Sequence, residues 1–420
     1  MPAWLLALVF TTFTFATDDY VIAGVLPEVS TELGVSEAAG GQLVTAFSLA
    51  FALGAPVASV VGATWSRRGL LTWALALFTA ANWAAALTTS YAVLMGLRVL
   101  AALAAAAVVP AVYALATSLA PEERRGRYLA LVMGGMTGSL MLGVPVGTWV
   151  GGAFGWQATF GLGGLLGLAA LVAIRATLPE TPAAAAMPVR ERLAPLARPQ
   201  VLLGLLGVVG IVLGSMMLMT YLAPFLRDLA GAGPAALGWV FALAGLAGLA
   251  GGQLGGWAAD RWGADRALIA GIAGFTAVMG LFAACWALRP LPLPWLLPLL
   301  LVWAAVSWWI PPPAQTRLLA LAGSAGPQAL ALNSSAVYVG VSGGGAVGGL
   351  VLESHGSGWL PPAAAVVELA ALALFWAAGR ARPPATVEDR AAAQGEASVG
   401  KASGRRGDHD DGRGVGLAEG

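Results

Sequence analysis

Gly62-Ala-Thr-Trp-Ser66-Arg67-Arg68-Gly69 returns, 194 residues later, as Gly256-Trp-Ala-Ala-Asp260-Arg261-Trp-Gly263-Ala-Asp265-Arg266. Each copy is a short charged turn between two long apolar stretches. The offset is close to half of the 420 residues. Repetition on that scale, in a chain this apolar, predicts two similar helical bundles with a path between them. Hydrophobic residues make up 58% of the chain and charged residues 10%. No soluble domain hides that much apolar surface, so lipid must solvate most of it.

Working outward from the turns, apolar stretches fall at 3–26, 39–63, 70–89, 91–119, 127–153, 157–176, 201–223, 237–259, 267–287, 292–312, 327–352 and 360–379. A helix needs about 20 apolar residues to cross a bilayer, and each stretch reaches or approaches that. Backbone groups in hydrocarbon must pair internally, and no alternating strands suggest a barrel. The expected fold is therefore an all-α membrane protein. Its twelve helices form two six-helix bundles, related by pseudo-two-fold symmetry around a central cavity. The predicted parts are a bundle over 1–176, a linker over 177–200, a second bundle over 201–379 and a polar, disordered tail over 380–420. The N-terminal run continues past Asp18 and Asp19 without a cleavage signal, so it reads as a retained first span.

Arginine sets the expected orientation. Loops after even-numbered spans hold Arg67, Arg68, Arg124, Arg125, Arg127, Arg190, Arg192, Arg198, Arg261, Arg266 and Arg317. Loops on the opposite side hold Arg227 and Arg289. The positive-inside rule puts both termini in the cytoplasm.

Several function classes are excluded early. A net charge of +1 argues against a nucleic-acid partner. Cys285 is the single cysteine, and His355 and His409 are the only histidines, so no metal-ligand cluster is expected. The tail run Gly395-x-x-x-x-Gly400-Lys401-Ala402 lacks the Ser/Thr and the preceding strand of a phosphate loop. No cofactor and no ATP-driven pumping are expected.

Charges inside spans cost at least about 2.5–3.5 kcal/mol near mid-membrane, so those present need a reason. They are Asp18, Asp19, Arg98 and Glu368. Asp19 lies seven residues before Leu26, and Arg98 seven residues after Tyr91. At 1.5 Å per residue both sit about 10 Å below the same surface, so Asp19 and Arg98 are expected to pair. Asp18 points about 100° away around the helix. Read functionally, Asp19 and Asp18 titrate, and cargo that disturbs the pairing with Arg98 changes their proton affinity, which would couple cargo to protons. The competing reading is a static ion pair that locks two helices. Glu368 reads more simply as a carboxyl hidden, protonated, against a neighbouring helix.

Span 5 carries Gly143, Pro145, Gly147 and Gly151. Similar glycine ridges run through span 8 (Gly245, Gly248, Gly252, Gly256), span 11 (Gly340, Gly344, Gly348) and span 2 (Gly54, Gly62). Such ridges let helices approach closely in lipid. They are also candidates for sliding surfaces between two rocking halves.

These features resemble the major facilitator superfamily, specifically its 12-span drug:proton antiporters of the arabinose-efflux-like and chloramphenicol-efflux-like kind. The most specific piece is Thr17-Asp-Asp-Tyr20-Val-Ile-Ala-Gly24-Val-Leu-Pro27 with Leu33-Gly-Val-Ser36. In it Asp19 matches the family's acidic position. Arg98 matches the fourth-span arginine implicated in proton coupling, although Ala101-Ala102 replace the usual Gln-Gly. Gly143-Val-Pro145-Val-Gly147, followed by Gly155-Trp156-Gln-Ala-Thr-Phe160, is similar to the fifth-span antiporter motif. The first turn departs from the pattern: Ser66 stands where the family has Asp, and Leu70 and Leu71 stand where it has basic residues. Gly62, Arg67 and Gly69 remain, while Gly256, Asp260, Arg261 and Gly263 keep the second turn intact.

The resemblance implies that spans 1, 4, 7 and 10 line the cavity. Phe13, Tyr20, Met217, Tyr221 and Trp303 are then its expected walls, suited to amphipathic cargo. It further implies a bacterial inner-membrane exporter of small molecules such as antibiotics, exchanging cargo for protons and expected to work as a monomer. Two rivals remain. One is a sugar or nucleoside exporter, which would need paired polar side chains in the cavity. The other is a membrane sensor that transports nothing.

Overall fold

The computed structural model describes residues 1–61, 65–181, 190 and 193–381. Gly62, parts of the expected linker and nearly all of the expected tail lie outside the described residues.

The helices are α1 (Ala3–Tyr20), α2 (Ile22–Glu32), α3 (Glu37–Val61), α4 (Arg67–Leu87), α5 (Tyr91–Ser118), α6 (Arg125–Gly138), α7 (Val144–Phe154) and α8 (Trp156–Thr177). The later ones are α9 (Pro199–Thr220), α10 (Leu222–Ala230), α11 (Pro234–Trp262), α12 (Ala264–Ala287), α13 (Leu293–Trp309), α14 (Pro311–Ala322), α15 (Gly326–His355) and α16 (Leu360–Arg380). Eleven segments among the described residues are long and apolar enough to cross a membrane, and twelve are if α1 and α2 count as one span bent by 42°. Leu53, Trp73, Phe154, Leu165, Trp239, Leu281 and Leu350 form part of an exposed apolar belt, as lipid solvation requires.

Proline explains the broken spans. Pro224 has no N–H to bond the carbonyl of Thr220, and α9 ends at Thr220. Pro27 does the same to Ala23 just beyond the bend between α1 and α2. In span 5, Pro145 would leave the carbonyl of Met141 unbonded. A π-turn over Ser139–Gly143 absorbs the mismatch, with Val144 N–H donating to Ser139. Span 10 breaks at Ile310, before three consecutive prolines.

With two smaller clusters beside them, two large buried cores form among the described residues. Leu5, Phe15, Phe78, Val112 and Ile174 belong to one, within the first six spans. Ile211, Phe225, Phe275, Leu300 and Phe375 belong to the other, chiefly within the last six. The halves meet where α3 packs on α15 and α7 on α11, and Met1–Arg380 forms one compact unit.

The glycine ridges mostly do something other than expected. A Cβ on Gly143 would meet Thr17 Oγ1 at 1.9 Å, one on Gly147 would meet Val21 Cγ2 at 2.4 Å, and one on Gly151 would meet Val25 Cγ1 at 2.5 Å. This ridge therefore clamps span 5 onto span 1 inside one half and is not a sliding surface between halves. Gly340, Gly344 and Gly348 likewise face Val212, Met216 and Tyr221 of their own half. The surface between halves is built instead from Gly345 against Thr45, Gly245 against the Leu140 carbonyl and Gly238 against Trp149. Because Thr17 is β-branched and cannot swing away, Gly143→Ala should lower unfolding free energy in detergent by about 1–3 kcal/mol. An unchanged unfolding midpoint would contradict this packing.

Candidate functional site

Arg98 lies on α5 and is almost wholly buried, at 1% exposure. Its Nη1 reaches Asp18 Oδ2 at 2.6 Å, and its Nη2 donates to the Asp18 carbonyl at 3.2 Å. The guanidinium also sits 4.3 Å from the Phe47 ring centre, a cation–π contact in a desolvated place. The expected Asp19–Arg98 pair is thus corrected to Asp18–Arg98. Equal depth was the right criterion but not a sufficient one. The two aspartates differ by one helical step, and it is the Asp18 face of α1 that turns towards Arg98, Asn82 and Gly163. Gly163 is needed there: a Cβ would come within 2.9 Å of Asn82 Oδ1 and 3.3 Å of Asp18 Oδ1.

Asp19 is equally buried, yet neither of its carboxyl oxygens has a hydrogen-bond partner among the described residues. It lies within electrostatic reach of Arg98 and Asp18. Tyr20 and Tyr338 lie within the same reach of Asp19, and Tyr338 comes from the other half of the chain. Tyr338 stacks on Phe51, ring centres 3.7 Å apart, and so ties α15 to α3 beside this charge cluster. Two carboxyls and one guanidinium, all dry, carry one excess negative charge when fully ionised; one proton removes it.

Next to the cluster is a cleft lined by Tyr20, Leu140, Ser215, Met216, Met219 and Trp303. Of the expected walls, Tyr20 and Trp303 line it. Met217 and Tyr221 do not, because both are fully buried. Tyr221 is wedged against Gly41, and its hydroxyl donates to the Gly345 carbonyl at 2.7 Å. The break at Tyr221 and the helical step put Met216 and Met219 on the cleft side in its place. Phe13 packs beside Phe10, near Gly135 and Gly138 of α6.

The two turns of the repeat also differ. Ser66 caps α4, its Oγ accepting from Gly69 N–H at 3.2 Å, and Arg68 donates to the Arg175 carbonyl. The serine thus serves its own helix. In the second turn Gly263, at φ 85°, makes the left-handed step between α11 and α12. Asp260 and Arg261 are exposed; the ion pair at this turn among the described residues is Asp265–Arg317, at 3.0 Å.

The cleft is closed towards the face that carries Glu37. There Arg227 of the second half donates to Glu37 of the first. Ser357 Oγ donates to Asp228 Oδ2 at 2.6 Å within the second half, and Tyr91 donates to the Ala39 carbonyl at 2.6 Å within the first. Towards the arginine-rich face, Gly252 and Gly255 of α11 meet Trp308 and Trp309 of their own half, and Gly134 of α6 has open space beside it. The Arg227–Glu37 pair is partly exposed, so it is worth about 0.2–1 kcal/mol. Arg227→Ala should therefore open the Glu37 face by no more than about fivefold in population. The check is the maleimide labelling rate of Thr45→Cys in a Cys285→Ala background; an unchanged rate would remove the pair from the closure.

Known proteins agree with this architecture. The sequence profile of the Major Facilitator Superfamily matches residues 8–326 and 204–408. The chain is 33% identical over 382 residues to a chloramphenicol resistance protein of Streptomyces lividans, covering 89% of this chain and 95% of that one. It is 30% identical over 388 residues to an inner membrane transport protein of Escherichia coli K12, covering 90% and 96%. Among solved structures, a D-xylose–proton symporter superposes with TM-score 0.73 at 17% identity, covering 89% and 97%. A bacterial homologue of the human lysosomal transporter Spinster, inward-facing and occupied, superposes with TM-score 0.70 at 18% identity, covering 92% and 97%. The latter two speak for the fold alone. With two packed halves, a cleft between them and relatives alike over nearly their whole length, the chain belongs to the major facilitator superfamily of membrane transporters.

Proposed function

We propose that the protein is a proton-driven exporter of small amphipathic molecules, working by alternating access. The observation that carries this reading is Asp19: a fully buried carboxyl with no hydrogen-bond partner, beside a closed Asp18–Arg98 pair and next in sequence to the cleft residue Tyr20. Asp18 holds the guanidinium, and Asp19 is the group left to take a proton.

The arginine-rich face is assigned to the cytoplasm. With the Glu37 face held shut, the state is read as inward-facing, and the narrow cleft must widen to admit cytoplasmic cargo. When the halves rock to open outward, cargo leaves and an outside proton binds Asp19. The neutralised cluster no longer carries an excess charge, which favours the return. The proton is then lost to the cytoplasm, so Asp19 carries one proton inward as one cargo leaves. Each charge driven through the potential supplies about 2.3 kcal/mol per 100 mV. Methionines, Phe241 and Trp303 give the cleft an adaptable apolar wall, while Ser215, Ser307 and Tyr20 supply a few polar groups. That composition and the chloramphenicol resistance relative favour an antibiotic-like cargo.

The test is internal pH in energised proteoliposomes while chloramphenicol, other amphipathic drugs, sugars and nucleosides are added in turn. Proton movement with amphipathic drugs is the expected result. Movement with sugars alone would install the sugar-exporter reading, for which a probable sugar efflux transporter of Helicobacter pylori, 27% identical, stands as a relative. Silence with every compound, from folded protein, would sink proton antiport.

A further inference from the structure

Glu368 sits in α16, eight residues from Leu360, about 12 Å in from the helix end. It is 0% exposed and has no ion-pair partner among the described residues. Ser215 Oγ donates to its Oε1 at 3.2 Å, and its Oε2 has no hydrogen-bond partner among the described residues. The site is shaped for the carboxyl: at Gly214 a Cβ would come within 2.9 Å of Glu368 Cγ and 3.3 Å of Oε1. Gly207 and Gly210, on the same ridge of α9, accommodate Phe375 and Ala371. A purely packed seam would continue that series with a small or apolar residue at 368.

Ser215 is also a wall of the cleft, beside Met216 and Tyr20. One hydroxyl therefore separates the buried carboxyl from the space where cargo would lie. An ionised carboxylate with no partner is costly in such surroundings, so this group holds a proton at rest. A hydroxyl both donates and accepts, and can pass that proton by turning over.

No other charge confuses the site. Helix α9 carries no titratable side chain in Pro199–Thr220. Asp265 and Arg266 lie at the start of α12 and Cys285 close to its end. On α15, Glu353 and His355 are at the exposed terminus and Tyr338 packs against the first half. Arg380 ends α16, and the turn Ser357–Trp359 has no ionisable group.

From this geometry we propose that Glu368 is a second proton-exchange site, in the second half of the transporter, reached from the cleft through the Ser215 hydroxyl. It rests on the antiport reading only for its consequence, that more than one proton moves per cargo. The exchange itself is independent of cargo.

The experiment uses two readouts on the full chain. First, dicyclohexylcarbodiimide, an apolar reagent, adds to protonated buried carboxyls, and peptide mass spectrometry locates the adduct. Its yield at Glu368 should fall at alkaline pH, and Ser215→Ala should slow its formation severalfold. Second, in proteoliposomes the protons moved per chloramphenicol should fall by about half in Glu368→Gln, with cargo movement retained. An adduct yield that ignores pH and Ser215→Ala, or an unchanged proton ratio in a folded Glu368→Gln protein, overturns the proposal. If wild-type protein moves no protons with chloramphenicol while the adduct still titrates, antiport fails and the exchange site stands.

Discussion

Asp19→Asn should lower the protons moved per cargo by about half, to the share carried by Glu368, while leaving the fold intact. Two features of the site make both halves of that expectation. The Asp19 oxygens have no hydrogen-bond partner among the described residues, so the amide breaks no hydrogen bond seen there and removes an excess negative charge. Stability in detergent should stay level or rise. Yet Asn cannot take up or release a proton, and the remaining Asp18–Arg98 pair is already neutral. The cluster is then fixed in its protonated-like state, whichever way the cleft faces. The contrasting substitution is Asp18→Asn, which leaves the Arg98 guanidinium buried without its counter-charge and should lower the yield of folded protein. If Asp19→Asn keeps cargo-dependent proton movement near the wild-type level, proton coupling does not run through Asp19. If the two substitutions damage folding equally, the division of labour between the aspartates is wrong.

The division was only partly legible in the sequence. Spans were easy to place because apolar length is a one-dimensional property, and the repeated turn supplied the symmetry. The charge cluster was legible as a set: Asp18, Asp19 and Arg98 stood out as charges where lipid should be. Which aspartate meets the arginine was not legible, because one residue step turns a side chain by about 100° and sequence gives no absolute helix rotation. The same loss of phase explains the methionines. Met216 and Met219 face the cleft while Met217 points into packing, and the proline break just beyond them makes extrapolation from an ideal helix worse. Glycine ridges announce close approach without naming the partner; Gly143 could have faced either half until Thr17 was seen against it. Ion pairs such as Arg227–Glu37 join residues 190 positions apart, and the sequence has no signal for that contact.

The second large effect concerns Arg98. Arg98→Met strands Asp18 in a dry site, and losing one partner of a buried pair costs about 3–5 kcal/mol. Removing both charges with Asp18→Asn and Arg98→Met should recover most of that loss, because a buried ion pair repays little more than its own desolvation. A cycle over the wild type, two single variants and the double variant, read by unfolding in detergent, measures the coupling directly. Its value lies in what the double variant then does. A pair that merely locks α1 to α5 could be replaced by a neutral contact without loss of function, and the restored protein would move cargo as before. A pair that responds to the proton on Asp19 could not, since the excess charge on Asp19 would face neither Asp18 nor Arg98. The folded double variant should therefore bind cargo and lose the share of proton exchange that runs through Asp19. Restored stability with restored exchange would reduce the pair to a strut. Additive single effects would mean that the 2.6 Å contact between Arg98 and Asp18 contributes nothing of its own.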